Sequence, residues 1–510
     1  MRFVLLGIFI AVLVVSGLLT MRKNNTVQSF FLGDRGIGPW FSAFAYGTTY
    51  FSAVIFIGYA GKVGWGFGLS ALWIVAGNTL VGSLLAWKIL ARRTREMTVR
   101  LNAMTMPEFL GARYQDQGLK IFSALVIFIF LVPYSASVYM GLSYLFEQVF
   151  QIPYTYALVF MALLTAVYLV LGGYRAVALT DFIQGMVMVA GVGILLYYII
   201  GNPHVGGLTN AVSKLTAINP GFVAPVGPPG WLPLFSLVAL TSIGPWGLPQ
   251  MVQKYYALKD ERSIRPAMII STLFALIVTF GAYFTGSLSR LFFDKLPVDP
   301  ATGVGTPDLL MPQILSTALP ELGVTMIFLL VLSASMSTLA SLVLVSSSTL
   351  AVDMIQGWLK PDMSERSGVR LMRLLVVLFI ALSLVVAMVK PAFILTLMAL
   401  SWGTVAGFFL APYLYGLFWQ GTTKAGAWAG GLSGLIVSLG LSVYYKMDAG
   451  LIPLIGVLAM LIPLAVVPLV SLMTRPLPSA HLEPLFNKNF STELSSKAWS
   501  SSQDQKAYDV

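Results

Sequence analysis

The sequence predicts an all-α polytopic membrane protein of about thirteen transmembrane helices, and three observations carry that expectation. Of its 510 residues, 57% are hydrophobic and only 10% are charged, against about 45–50% apolar and about 25% charged in an ordinary soluble domain. The apolar residues gather in runs near the roughly 20 residues that a helix needs to cross a bilayer core. The lysines and arginines fall between those runs, mostly on one side of them. So little charge cannot clothe a soluble protein of this length.

In chain order the expected spans are 2–21, 38–61, 67–91, 118–147, 153–173, 176–200, 231–253, 263–294, 320–352, 369–389, 391–419, 424–445 and 451–473. The first lacks a basic start beyond Arg2 and an A-x-A-like exit, and Arg22 and Lys23 follow it directly. It is therefore expected to be retained as a helix rather than cleaved as a signal peptide. With the N-terminus outside, only Arg2, Lys62, Lys214, Arg290, Lys295, Lys390 and Lys446 of the 31 basic residues lie outside. Arg92, Arg93, Arg95 and Arg100, then Lys254 to Arg265, then Lys360 to Arg373 fall inside. Inverting the chain reverses the ratio, so the N-terminus is expected outside and the C-terminus in the cytoplasm. The net charge of +11 is then a topology signal and calls for no nucleic acid. Loops 201–230 and 295–319 read as turn-rich caps, and the Ser-rich stretch from Arg475 onward as a solvated tail.

The chemistry is bounded as tightly. With no cysteine there is no disulfide or thiolate metal site, and His204 and His481 stand far apart in polar stretches. A membrane enzyme would need convergent acids or bases inside the spans, where there is little beyond Asp181. Polar groups inside spans are costly and mark function. The second span carries Gly47-Thr48-Thr49-Tyr50-Phe51-Ser52-Ala53, and the seventh Gly244-Pro245-Trp246-Gly247-Leu248-Pro249-Gln250. Proline and glycine there break the helical ladder and free carbonyls that must find protein, water or an ion. The two lie five spans apart and so run in opposite directions, as paired broken helices in inverted transporter halves do. In the ninth span Ala334, Ser337, Thr338 and Ser341 share one helical face. That face is either a small-residue packing seam or a sodium site of neutral oxygens. Asp181, at the inner end of the sixth span, either pairs with Arg175 or helps sodium leave.

These residues resemble the sodium/solute symporter family, which includes bacterial carriers for proline, pantothenate and monocarboxylates. The matching stretches are Arg35-Gly36-Ile37-Gly38-Pro39, Gly172-Gly173-x-x-Ala176-Val177-x-x-Thr180-Asp181-x-x-Gln184, Gly247-x-Pro249 with Tyr256-Ala257 and Lys259-Asp260, and Met336-Ser337-Thr338. The resemblance implies a five-plus-five inverted repeat with one helix before it and two after. It also implies Na⁺ as coupling ion, bound by carbonyls of Thr48, Phe51 and Ala334 and by the hydroxyls of Ser337 and Thr338. Tyr50, Ser52, Trp73, Thr241, Trp246 and Gln250 are the candidate solute contacts, and Asp181 the candidate aid to sodium exit.

The expected organisation is a first helix and cytoplasmic linker (1–37), a first repeat (38–200), an outer loop (201–230), a second repeat (231–419), two accessory helices (420–473) and a cytoplasmic tail (474–510). The expected function is sodium-coupled import of a small, carboxylate-bearing solute across the plasma membrane, pantothenate- or monocarboxylate-like. Ile55 and Ala71 stand where sugar carriers look to have Gln and Glu; Tyr50, Thr241 and Pro245 stand where proline carriers have Asp, Trp and Tyr. The alternatives are a proline-type symporter and, from another class, a cation channel. The partners expected are the solute, sodium and the lipid bilayer, with no obligate protein partner.

Overall fold

The computed structural model describes residues 2–21, 26–299 and 303–487, and among these it is helical throughout. The only β contacts among the described residues are isolated bridges, Ile37 with Leu258 and Val298 with Gly305. Ten helices among the described residues are long and apolar enough to span a bilayer, with two shorter apolar helices, Phe3–Ser16 and Tyr154–Val167. Their outward sides carry Leu374, Val385, Ile436, Val443 and Leu469, each more than half exposed; such a belt suits lipid, not water.

Burial sorts the helices. The most apolar stretch of Glu321–Leu359 is 100% buried and that of Glu365–Val389 only 39%, so the first runs through the centre of the bundle and the second along its edge. Around the central helix pack Pro39–Tyr50, Gln117–Phe150 and the long Tyr154–Gly201 helix. Tyr154–Gly201 bends at Gly173, whose φ of 56° and ψ of −163° interrupt it. Glycine also permits the closest crossing: a Cβ on Gly64 would lie 2.0 Å from the backbone of Gly286, and one on Gly286 1.9 Å from Ala60 O. No larger residue fits there.

Both interrupted spans are broken where their sequences predict. Pro39–Tyr50 ends at Phe51, which is extended at φ −114° and ψ 103°, and a new helical segment starts at Val54. Trp231–Ile243 gives way to the turn Gly244–Trp246, and Pro249–Tyr256 resumes beyond it. The segment entering the first broken span is bonded to the end of the second: Ile37 N donates to Ala257 O at 3.1 Å and Lys259 N to Ile37 O at 3.0 Å. Arg35 reinforces this junction through Tyr256 O and Ala103 O.

Three expectations change. The 201–230 loop contains the helix Leu208–Ile218, and the 295–319 loop contains Leu310–Thr317; both are too short to register as spans. The tail does not leave the bundle at Arg475: Ser479–Phe486 is a helix docked on it, with His481 Nε2 3.1 Å from Arg113 O and Phe486 beneath Arg93 and Arg113. Arg22, Lys23 and the chain from 488 onward lie outside the described residues.

Candidate functional site: an oxygen cluster beside an aromatic cavity

The break after Tyr50 leaves carbonyls without helical partners. Phe51 N still donates to Gly47 O at 3.1 Å, and there the ladder stops. Thr338 Oγ1, on the central helix, lies 3.1 Å from Thr48 O and 3.2 Å from Thr49 O. Its neighbour Ser337 Oγ lies 2.7 Å from Thr48 Oγ1 and 2.6 Å from Asp181 Oδ1. Ala334 is one turn earlier on the same buried face, and Phe51 sits at the break itself.

Two features separate this cluster from a packing seam. Hydroxyls in a seam commonly bond back to their own helix, as Ser335 does to Val331 O and Ser347 to Val343 O. Ser337 and Thr338 instead reach across to two other helices. Secondly, the negative end of the Pro39–Tyr50 dipole points at the cluster, and Asp181 adds a carboxylate that is fully buried. Asp181 is not engaged by Arg175, whose guanidinium pairs with Asp34 at 2.7 Å. Its Oδ1 instead joins the cluster through Ser337. Carbonyl, hydroxyl and carboxylate oxygens are the ligands a hard cation takes.

Next to the cluster, a cavity of about 20 Å³ lies between the two breaks, room for a water molecule or two. Tyr50, Phe51, Ser52, Tyr59, Tyr134, Tyr283 and Trp402 line much of it, with Asn78 and Thr241. Tyr50 OH donates to Thr241 O at 2.5 Å, which ties the first broken span to the second. The rings are ordered against one another: Tyr50 stacks on Phe51 at 4.1 Å and on Trp402 at 6.1 Å, and Tyr134 meets Trp402 edge-on at 5.8 Å. Among the described residues, no Asp, Glu, Lys or Arg lines the cavity.

A model of one transporter family, described as "Sodium:solute symporter family", matches residues 30–434. The chain belongs to that family. Its members couple solute movement to sodium, and Na⁺ is the coupling ion here. Among its relatives is a sodium/proline symporter of Staphylococcus aureus, 28% identical over 500 residues and covering 95% of each chain. The osmoregulated proline transporter of Bacillus subtilis is 28% identical over 83% of this chain and 85% of that protein. The fold matches an outward-open, substrate-bound Na⁺-coupled sialic acid symporter with a TM-score of 0.73 at 16% identity, over 93% of this chain and 98% of the other. It also matches a nucleobase-cation-symport-1 transporter in a closed conformation, with a TM-score of 0.52 at 14% identity, over 91% and 98% of the two chains. The five-plus-five inverted-repeat architecture follows from that likeness, and a bacterial symporter of this kind is a multi-pass protein of the plasma membrane.

Within the symporter, the structure joins Thr48, Ser337, Thr338 and Asp181 in one hydrogen-bonded cluster, and Tyr50, Ser52 and Thr241 around one cavity. It does not bring the other three candidates there. Trp73 is 55% exposed, with its indole donating to Pro225 O. Trp246 donates to Val81 O, and Gln250 is buried in Pro249–Tyr256, away from the cavity lining. The chain turns at Gly68 (φ 58°) five residues before Trp73. Sequence reasoning also missed Lys254. Its position after an apolar run reads as a loop cation, yet it is fully buried and donates to Ser341 Oγ at 2.9 Å. Asn78, Tyr59, Tyr134, Tyr283 and Trp402 were missed because isolated aromatic and amide residues carry no periodic signal.

Proposed function

We propose that this symporter imports a small zwitterionic amino acid of the proline class together with Na⁺, by alternating access. The observation that carries the reading is the oxygen cluster of Thr48, Thr49, Ser337, Thr338 and Asp181 directly beside a cavity that, among the described residues, has no acidic or basic side chain in its lining. A net anion would need a cationic partner in that cavity, and a zwitterion does not. Its carboxylate suits the amino end of the helical segment from Val54, where the helix dipole favours negative charge. Its ammonium suits the faces of Tyr50, Phe51, Tyr134 and Trp402. The proline carriers among the relatives support this choice over a pantothenate- or monocarboxylate-like solute.

In this reading Na⁺ takes the carbonyls of Thr48, Phe51 and Ala334 and the hydroxyls of Ser337 and Thr338. It ties the first broken span to the central helix and orders the break that lines the solute cavity. Tyr50, Ser52 and Thr241 contact the solute, and Asp181 receives the ion as the inner side opens. Residues 38–200 and 231–419 form the two repeats, with the N-terminus outside and the C-terminus in the cytoplasm, as the basic residues favour. A closed cavity between broken helices suits this cycle better than an open channel. One charge crossing 100 mV releases about 2.3 kcal/mol and a tenfold sodium gradient about 1.4 kcal/mol. For a neutral zwitterion both terms survive, and together they support accumulation of several hundredfold.

The test is uptake of labelled proline into proteoliposomes with and without an inward sodium gradient. Saturable uptake that requires the gradient is expected. Uptake indifferent to sodium, or absent for proline while another solute is driven, overturns the proposal.

A further inference from the structure

Lys254 counts among the inner-side basic residues, yet it is fully buried within the bundle. It sits in the short helix Pro249–Tyr256, every residue of which is buried. Taking an ammonium out of water costs several kcal/mol unless an opposite charge and hydrogen bonds offset it. Among the described residues its Nζ makes one hydrogen bond, to Ser341 Oγ at 2.9 Å, and lies over the Tyr174 ring at 5.2 Å. Ser341 Oγ in turn lies 2.8 Å from Thr49 Oγ1, so the ammonium is one hydroxyl away from the residues at the sodium cluster.

The opposite charge acting on it is Asp181. That carboxylate uses Oδ1 on Ser337, while its Oδ2 is buried with no hydrogen-bond partner. Ser337 and Ser341 are successive turns of one helical face, about 6 Å apart along the axis. The carboxylate and the ammonium therefore flank a single turn of the central helix, together carrying no net charge. Both broken spans are latched to that turn: the first through Thr48 and Thr49, the second through Lys254.

We propose that Lys254 is a tethered cation that permanently fills the second positive position beside Asp181, and thereby limits this symporter to one Na⁺ per solute. A single sodium entering the neutral oxygens raises the charge of the buried cluster from zero to one. A second would raise it to two in a buried site. Replacing the ammonium with a neutral side chain leaves Asp181 as a buried, uncompensated anion, which draws in a second sodium. Lys254 is a positioning residue in this scheme; it touches neither the solute nor the coupling ion.

The inference rests on the proposed sodium cluster, but not on the identity of the solute, so the experiment counts sodium without solute. Equilibrium binding of ²²Na⁺ to the purified protein is measured at about pH 8 for wild type, Lys254→Gln and Lys254→Arg. One sodium per chain is expected for wild type and Lys254→Arg, and two for Lys254→Gln. At saturating sodium, the stability of Lys254→Gln should then rise about twice as steeply with the logarithm of sodium concentration as that of wild type. If Lys254→Gln does not fold, wild type and Lys254→Arg still decide the matter: two sodiums in either overturns the proposal. One sodium in folded Lys254→Gln also overturns it. No sodium binding in wild type overturns the cluster as a sodium site and this inference with it. Sodium binding as expected but no proline uptake fails only the choice of solute.

Discussion

Thr338 offers the sharpest test of the sodium cluster, because one oxygen can be removed with almost no change of shape. Its Oγ1 bridges Thr48 O and Thr49 O at 3.1 and 3.2 Å, where the helical ladder of Pro39–Tyr50 has ended. Thr338→Val keeps the branched side chain and its volume and deletes the hydroxyl alone. In the sodium-free protein that hydroxyl is a neutral hydrogen bond with a net contribution of about 0.5–1.5 kcal/mol. With sodium bound the same oxygen faces a full charge, where contacts contribute about 1.5–3 kcal/mol. The difference, about 1–2 kcal/mol, falls on sodium affinity and converts to about a tenfold rise in half-saturating sodium. Thr338→Ser retains the oxygen and should stay within about twofold of wild type. The assay is initial uptake into proteoliposomes across a range of external sodium at fixed solute, with reconstituted protein quantified for each variant. Wild-type sodium dependence in Thr338→Val, or equal impairment in Val and Ser, refutes the assignment.

Other perturbations probe the rest of the molecule. Gly64→Ala would drive a methyl to within 2.0 Å of the Gly286 backbone; the two helices must separate, and we expect little folded protein in the membrane fraction, whereas normal yield and Tm would refute the close crossing. Trp73→Ala should leave solute half-saturation unchanged, because that indole lies exposed on Pro225 O; a large rise would return it to the binding site. Asp308, in the 295–319 loop, is buried and accepts from Ile394 N at 3.1 Å. Burial pushes its carboxyl up to about 6, against the opposing pull of the Ile394 N–H and Lys62. A folded value above the unfolded one means that stability is fully present below about pH 4 and is lost as pH rises through about 6. Asp308→Asn should therefore flatten the dependence of Tm on pH over that window and raise Tm at neutral pH; an unchanged slope counts against the burial argument.

Much of the site could be read directly. Gly-, Pro- and hydroxyl-rich stretches inside apolar runs are local anomalies, so the breaks at Phe51 and Gly244–Trp246 and the Ser337-Thr338 pair stood out before any folding was considered. Short loop helices, the docked Ser479–Phe486 segment and the lining aromatics did not, because nothing in their periodicity distinguishes them from turns or from ordinary apolar span residues. Asp181 was legible as a costly carboxylate, but Arg175, only six positions earlier in the chain, was an equally plain partner. Its real partner, Ser337, is 156 residues away.

The sequence by itself determined that the chain lives in a bilayer, where two of its spans break, and which spans carry clustered oxygens. These are local properties of composition, spacing and ladder chemistry. Only the tertiary structure decided that Asp181 meets Ser337, that Trp73 faces away and that Lys254 lies inside the bundle on Ser341. Those outcomes depend on the rotation of each helix about its axis and on how closely helices cross at glycines such as Gly64, Gly286 and Gly185, where a Cβ would strike Phe44 at 2.2 Å. A turn of one residue moves a side chain by about 100°, so the same polar residue can face lipid, packing seam or ion according to its neighbours.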